Sequence, residues 1–271
     1  MNTDEPPEYA LTPMGALAPT RARHIIHSDG GGTQSVAIVT LVANGVLPAP
    51  DLNVFCQTPY MDPATMAYRK KWVLPLLKAL SIPCLHLLPD PEGAHVFDAA
   101  YMPLPAYARG AKLKTFCNSA WLRQPIADAL RGIGYGPRNP TVVWLGMTTD
   151  EPKRLRLPKL QHRIHAYPLI TLGMSRPNAI QAVKNFGLPR PPRSACTICP
   201  NKTNPEWREL RARNPAAFER ACQVDDDLRT RRPGDPVYLH RTLVPLRHAD
   251  LSTPPSHHKK SPPPPITLPR A

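Results

Sequence analysis

His24-Ile25-Ile26-His27-Ser28-Asp29-Gly30-Gly31-Gly32-Thr33-Gln34-Ser35-Val36-Ala37-Ile38-Val39 is the stretch that decides the architecture. A short apolar run meets three consecutive glycines, and a second apolar run continues through Leu41 and Val42 to Asn44. The first run reads as a strand over 24–27. The second reads as a helix over 34–44, apolar nearly all round and therefore one that lies buried on a sheet. Three glycines allow positive φ and close approach of the backbone to a ligand. The helix start offers unbonded N–H groups and the positive end of its dipole, a seat for phosphate. Ser28, Thr33 and Ser35 add hydroxyl donors. An ordinary glycine turn is the alternative; the position after the first strand, with hydroxyls on both sides, favours phosphate. The loop is neither the dinucleotide fingerprint nor the loop ending in Gly-Lys-Ser/Thr.

Outward from this stretch, strand and helix patterns alternate. Leu52–Cys56 reads as a strand, Pro63–Leu80 as a helix, Ile82–Leu87 as a strand, Ser119–Arg131 as a helix and Thr141–Leu145 as a fully apolar strand ending at Gly146. That order implies an α/β fold with a parallel, twisted, Rossmann-like sheet and helices on both faces. After it the pattern turns helical. Ser175 caps a helix to about Asn185, and Asn204-Pro205 and Asn214-Pro215 each pair a cap with Pro at the first helical position. No repeat has a steady period. The implied organisation is a flexible N-terminal arm (1–22), a nucleotide-binding α/β domain (23–172), a helical C-terminal part (173–250) and a disordered, basic, Pro-rich tail (251–271).

The 271 residues carry a formal charge of +14, with 37 prolines and 42% hydrophobic residues, enough apolar material for a core. Residues 1–22 are net acidic and 246–271 net basic, so most of the positive charge belongs to the part between. Such a surface suits an anionic partner: a nucleotide, tRNA or DNA. No apolar run approaches the roughly 18 residues of a membrane span. The acidic start Met1-Asn2-Thr3-Asp4-Glu5 is unlike a signal peptide, which gives a cytoplasmic expectation.

Six cysteines are read as thiols or ligands rather than as a disulfide framework. Cys196 and Cys199 form a Cys-x-x-Cys in a proline-rich loop, a spacing that suits one metal or a redox pair. Cys117 precedes a helix near the expected phosphate loop. A [4Fe–4S] cluster on Cys117, Cys196 and Cys199 is the leading reading. Zinc, completed by His162 or His165, is the alternative. Cys56, Cys84 and Cys222 read as core thiols.

The loop Ser-x-Gly-Gly-Gly-x-Gln-Ser resembles the PP-loop of the adenine nucleotide α-hydrolase-like fold, and more closely the phosphoadenosine phosphosulfate reductase-like proteins of bacteria and their phages. Further stretches look similar: Phe116-Cys117-Asn118-Ser119 leading to Pro125-Ile126, Leu145 to Glu151 with Arg154, Tyr167 to Ile170, Ser194 to Pro200 running on to Glu206-Trp207-Arg208, and Tyr238 to Leu246. Together they cover roughly residues 23–250. The resemblance implies that Ser28, Gly30, Gly31, Gly32, Thr33, Gln34 and Ser35 hold the phosphates of ATP or of a sulfonucleotide. It implies that Asp150, Glu151 and Arg154 act in catalysis, the carboxylates on Mg²⁺ and the guanidinium on phosphate.

Departures from the pattern are equally specific. Gln57 stands where an acid is usual at the end of the second strand, and Leu122 and Gln124 stand where two cations are. No Glu-Cys-Gly-Leu-His segment follows, which speaks against a strict sulfonucleotide reductase. Three readings result: an ATP-dependent sulfur or adenylyl transferase acting on a nucleic acid or nucleobase; a phosphoadenosine phosphosulfate reductase proper; and a catalytically idle nucleotide- or nucleic-acid-binding module.

Overall fold

The computed structural model describes residues 9–11, 17–19, 24–88, 106–113, 117–155, 162–231 and 234–252. Most of the N-terminal arm and nearly all of the basic tail expected above lie outside the described residues. Within the arm, β1 (Tyr9–Leu11) and β2 (Leu17–Pro19) form an antiparallel pair.

The chain divides into two compact units: residues 1–105 with 114–197, and residues 106–113 with 198–271. The first is an α/β fold. It is built on β3 (His24–Asp29), β4 (Leu52–Cys56), β5 (Cys84–Leu87), β8 (Thr141–Leu145) and β9 (Arg163–Ala166), in spatial order β5-β4-β3-β8-β9 with every neighbouring pair parallel. The central strands are apolar on both faces because both faces are covered. Val142 and Trp144 of β8 point into one core, with Ile38 and Val39 of α1 (Thr33–Ala43), Leu77 of α3 (Leu74–Ala79), Leu169 of α5 (Pro168–Thr171) and Val183 of α6 (Arg176–Asn185). Val143 points the other way, into a second core with Ile26, Val54 and Leu130 of α4 (Gln124–Gly132). Helix α1, expected to be buried all round, is: Val36, Ala37, Ile38, Val39 and Thr40 are all withdrawn from solvent.

Two helical runs carry wide turns. α2 (Pro63–Tyr68) passes into a π turn over Arg69–Val73 before α3, and a second π turn over Ser119–Arg123 precedes α4. Each is followed two residues later by a proline, Pro75 or Pro125. A proline inside a helix lacks the N–H and crowds the carbonyl four residues back, and a turn with one extra residue relieves both.

The sequence reading missed β9 and had the chain turning helical after β8. In Arg163-Ile164-His165-Ala166 only Ile164 and Ala166 are buried, the half-polar pattern of an edge strand. A second correction concerns Cys84, expected in the core: it lies exposed on the other edge strand, β5.

In the second unit, β6 (Tyr107–Ala108) and β7 (Ala111–Lys112) form a hairpin, and α7 (Asn204–Arg213) and α8 (Pro215–Thr230) supply the helices. Asn214 caps α8 by accepting from the Ala217 N–H at 3.0 Å, as expected. The cap of α7 is Thr203 rather than Asn204, with the Glu206 carboxylate accepting from the Thr203 N–H at 2.7 Å. Buried Asp225 accepts from the N–H groups of Leu239 and Leu246, each at 2.7 Å, and so fixes the segment that follows α8. Cys222, expected in the core, is buried, and burial pushes its pKa up to about 11.

Candidate functional site

The chain runs from β3 outward to β4 and β5 on one side, then crosses back to place β8 on the other side of β3. The gap beyond the carboxyl ends of β3 and β8 is therefore a topological switch point, where open parallel sheets bind their ligands. Two loops open there, Gly30–Gly32 after β3 and Gly146–Glu151 after β8. They touch: the Gln34 amide donates to Glu151 Oε2 at 2.6 Å and reaches Thr148 Oγ1 at 3.5 Å. Gly146 permits this approach, since a Cβ there would lie 3.1 Å from the Ser35 nitrogen and 3.2 Å from Gln34 Cβ.

The glycine loop is tightly made. Ser35 Oγ accepts the Gly30 N–H at 2.9 Å, and Asp29 Oδ1 accepts the Gly31 N–H at 2.8 Å. Gly31 has φ +69°, and a Cβ on it would lie 2.8 Å from Thr65 Cγ2 and 3.0 Å from Phe55 Cε2, so glycine is demanded twice over. Gly32 then starts α1 with no side chain capping the helix. The first-turn N–H groups of Thr33, Gln34 and Ser35 have no intrahelical acceptors, by helix geometry. Thr33 and Ser35 are buried, Gln34 half-buried.

A strap crosses the loop from far along the sequence. The Ser194 hydroxyl donates to the Gly30 carbonyl, and its Cβ lies 3.3 Å from where a Cβ on Gly32 would stand. Cys196 Sγ meets Thr58 Oγ1 at 3.1 Å, and the Thr197 N–H donates to the Tyr60 carbonyl at 2.7 Å. The strap thus fastens to the glycine loop and to the turn after β4.

Beneath the loop, Asp29 pairs with Arg69, both side chains almost wholly buried. Burial alone would raise the Asp29 carboxyl. Arg69, His27 and the Gly31 N–H outweigh it and hold the pKa below the ordinary 3.8. His27 is pushed from 6.5 down to about 4 by burial, with Asp29 opposing and Arg69 reinforcing.

Not every residue singled out in the sequence is open to a ligand. Glu151 accepts from Gln34 and pairs with Arg154, whose guanidinium is otherwise exposed. Asp150 accepts the Arg176 N–H at the start of α6. Gln57, in the place of the usual acid, bonds to His86 at 3.2 Å, and Gln124 donates to Asp128 at 3.0 Å. Asp29, Asn53, Arg69, Thr148 and Ser194 were not singled out, although all five shape the loop or its partner. Asp29, Thr148 and Ser194 had a visible cue, since each lies within a stretch that carries the resemblance; Asn53 and Arg69 had none.

Among the described residues no group of three or more His, Cys, Asp or Glu side chains is gathered as a metal would require. Cys196, one of the three thiols expected to hold a cluster, lies on the strap and meets Thr58. His165 is a residue of edge strand β9, and burial lowers the pKa of His162.

Positive charge is concentrated in one stretch of the sequence. Residues 152–197 contain nine Lys and Arg and no Asp or Glu. Lys153 and Arg154 follow the Glu151 loop, and Arg190 and Arg193 lead into the strap, all four exposed. Among the described residues no helix is long and apolar enough to cross a membrane.

No protein-family model and no curated protein sequence matches the chain. Among solved structures it is similar to the phosphoadenylyl-sulfate reductase of Candida auris, determined as a phosphate complex (10% identity over 62% of this chain and 75% of that one, TM-score 0.41). It is similar to the NMN synthetase of Francisella tularensis (13% identity, 62% and 63%, TM-score 0.39). It is also similar to the U34-tRNA thiolase of Methanococcus maripaludis, determined with its [4Fe–4S] cluster (11% identity, 79% and 68%, TM-score 0.40). The chain spans less than two thirds of the NMN synthetase. Likenesses of this size carry no activity across. The parallel sheet order, the glycine loop at its switch point and the loop after β8 that meets it give the α/β fold with helices on both faces that the sequence pattern implied.

Proposed function

We propose that the chain is a PP-loop enzyme that binds ATP and transfers an adenylyl group, or sulfur by way of an adenylylated intermediate, to a nucleic-acid or nucleobase acceptor. The observation that carries this reading is the placement of the Gly30–Gly32 loop at the switch point, opening α1 with no side-chain cap. An uncapped helix start beyond the carboxyl end of a central parallel strand is a seat for phosphate.

In this reading Ser28, Thr33 and Ser35 and the first-turn N–H groups of α1 hold the β- and γ-phosphates. The acceptor oxygen attacks the α-phosphate, the bond to pyrophosphate breaks, and the acceptor leaves as its adenylyl ester. Charge on the phosphates rises along that path and is stabilised by fixed donors that need no rearrangement. Asp150 and Glu151 are the carboxylates that would hold Mg²⁺, which takes one or two such ligands beside phosphate oxygens. Such an ion would neutralise phosphate charge. Arg154 is released from Glu151 to meet phosphate. The acid-free basic stretch from 152 to 197 supports a polyanionic acceptor, tRNA or DNA.

The test is two-fold. ATP, ADP or a sulfonucleotide should raise the melting temperature by mass action. ATP incubated with mixed tRNA or DNA should then release pyrophosphate and label the nucleic acid with adenylate or, given a sulfide donor, with sulfur. A thermal shift without turnover would leave the idle binding module. No shift with any adenine nucleotide would overturn the proposal.

A further inference from the structure

The floor of the glycine loop contains a charged pair that loop geometry alone does not call for. Asp29 ends β3 and uses one oxygen to fix the Gly31 N–H at 2.8 Å. Its other oxygen pairs with Arg69, the first residue of the π turn. Arg69 also donates to Asn53 Oδ1 at 3.1 Å and to Cys84 Sγ at 3.0 Å. Its guanidinium lies 4.0 Å from the centre of the Phe55 ring, the ring that packs beneath Gly31. Asn53 in turn donates to His27 Nδ1 at 3.0 Å. One side chain therefore holds both the acceptor that shapes Gly31 and the ring that supports it.

An asparagine would fix the Gly31 N–H as well as an aspartate does, and a buried ion pair is often replaced by neutral groups at no cost in stability. A carboxylate directly under a phosphate loop repels every phosphate above it unless a cation cancels it, and it does so strongly in a site shielded from water. We infer that Arg69 is a positioning residue for the nucleotide: it locks Asp29 and Phe55 beneath the loop and cancels the field of Asp29 at the phosphates. This role rests on the nucleotide reading above.

The test compares ATP, ADP, AMP and adenosine by titration calorimetry on the full chain and on R69M, D29N and the double variant R69M/D29N, each checked for folding by circular dichroism. With Arg69 gone, Asp29 penalises ligands by phosphate charge. R69M should therefore lose ATP affinity by about tenfold more than AMP affinity, adenosine changing least. The double variant should return the ATP-to-AMP ratio to that of the unaltered chain, which loss of packing alone would not do. D29N should raise the ratio, because Arg69 is then uncompensated, and this arm decides the question if R69M does not fold. A ratio unchanged in every folded variant overturns the role, whatever happens to the melting temperature. If the unaltered chain binds none of the four ligands, the nucleotide reading falls and takes this role with it.

Discussion

The side-chain amide of Gln34, on the first turn of α1, donates to the Glu151 carboxylate at 2.6 Å. These two residues lie 117 positions apart and close the switch point from its two sides. The bond holds Glu151 at the mouth of the glycine loop, where in the proposed reading it would help to hold Mg²⁺. Glu151→Gln keeps the shape and loses the charge. The expected result is a smaller gain in ATP affinity on adding Mg²⁺, with ATP binding in the absence of Mg²⁺ retained. Calorimetric titration with and without the metal measures it.

Gly31 is the glycine that cannot be exchanged quietly. From the sequence, Gly31→Val looks like a change that blocks phosphate and spares the fold. Positive φ and the approach of Thr65 and Phe55 overturn that expectation. The substitution should cost about 2–4 kcal/mol. A fall in melting temperature of roughly 5–15 °C should follow for a unit of this size. Gly30→Ala is the gentler probe, because its Cβ would stand 3.6 Å from Ser35 Oγ at ordinary φ. It should keep the melting temperature and reduce the shift that ATP produces. Differential scanning calorimetry distinguishes the two.

Stability should respond to pH through His27. The folded state holds His27 neutral down to about 4, while the unfolded chain binds the proton near 6.5. The contribution is therefore intact above 6.5 and lost as pH falls from 6.5 towards 4, by about 3 kcal/mol at the lower end. Asp29, whose folded pKa is depressed, adds its own loss only below the ordinary 3.8. Urea unfolding between pH 8 and pH 4 should show the first decline, and His27→Gln should flatten it.

If Lys153, Arg190 and Arg193 meet the phosphates of a nucleic acid, affinity should fall steeply with salt. Changing all three to Gln should reduce the slope of log K against log salt by about 2–3. Fluorescence anisotropy with labelled tRNA and duplex DNA at several salt concentrations measures the slope. An affinity indifferent to salt would point to a free small acceptor.

The parts of the fold that were legible were those set by local pattern. Val142–Leu145 is apolar on both faces, and the glycine triplet marks a sharp turn between two apolar runs, so β3, α1 and β8 could be read directly. Arg69 could not. A cation within Tyr68-Arg69-Lys70-Lys71 reads as the exposed face of a helix, and only the π turn and four tertiary partners bring it inside. The α7 cap was displaced by one residue because Thr203 and Asn204 are both good caps, and Asn204 is instead occupied with His240 at 3.0 Å. The Thr58–Cys196 contact joins residues 138 positions apart and had no local cue.

The Ser194 strap bears on the order in which the molecule is made. The phosphate loop is synthesised well before its brace: the hydroxyl that secures its Gly30 carbonyl follows 164 positions later. β8, the strand that flanks the loop, arrives more than a hundred residues after β3. During synthesis the nascent chain therefore exposes an unfinished loop above an unpaired strand edge until those later residues arrive. Contacts of such long range form slowly and leave the intermediate open to aggregation or to capture by chaperones. A truncated chain ending before Pro191 would keep every loop residue of the nucleotide motif and lack the brace that holds it.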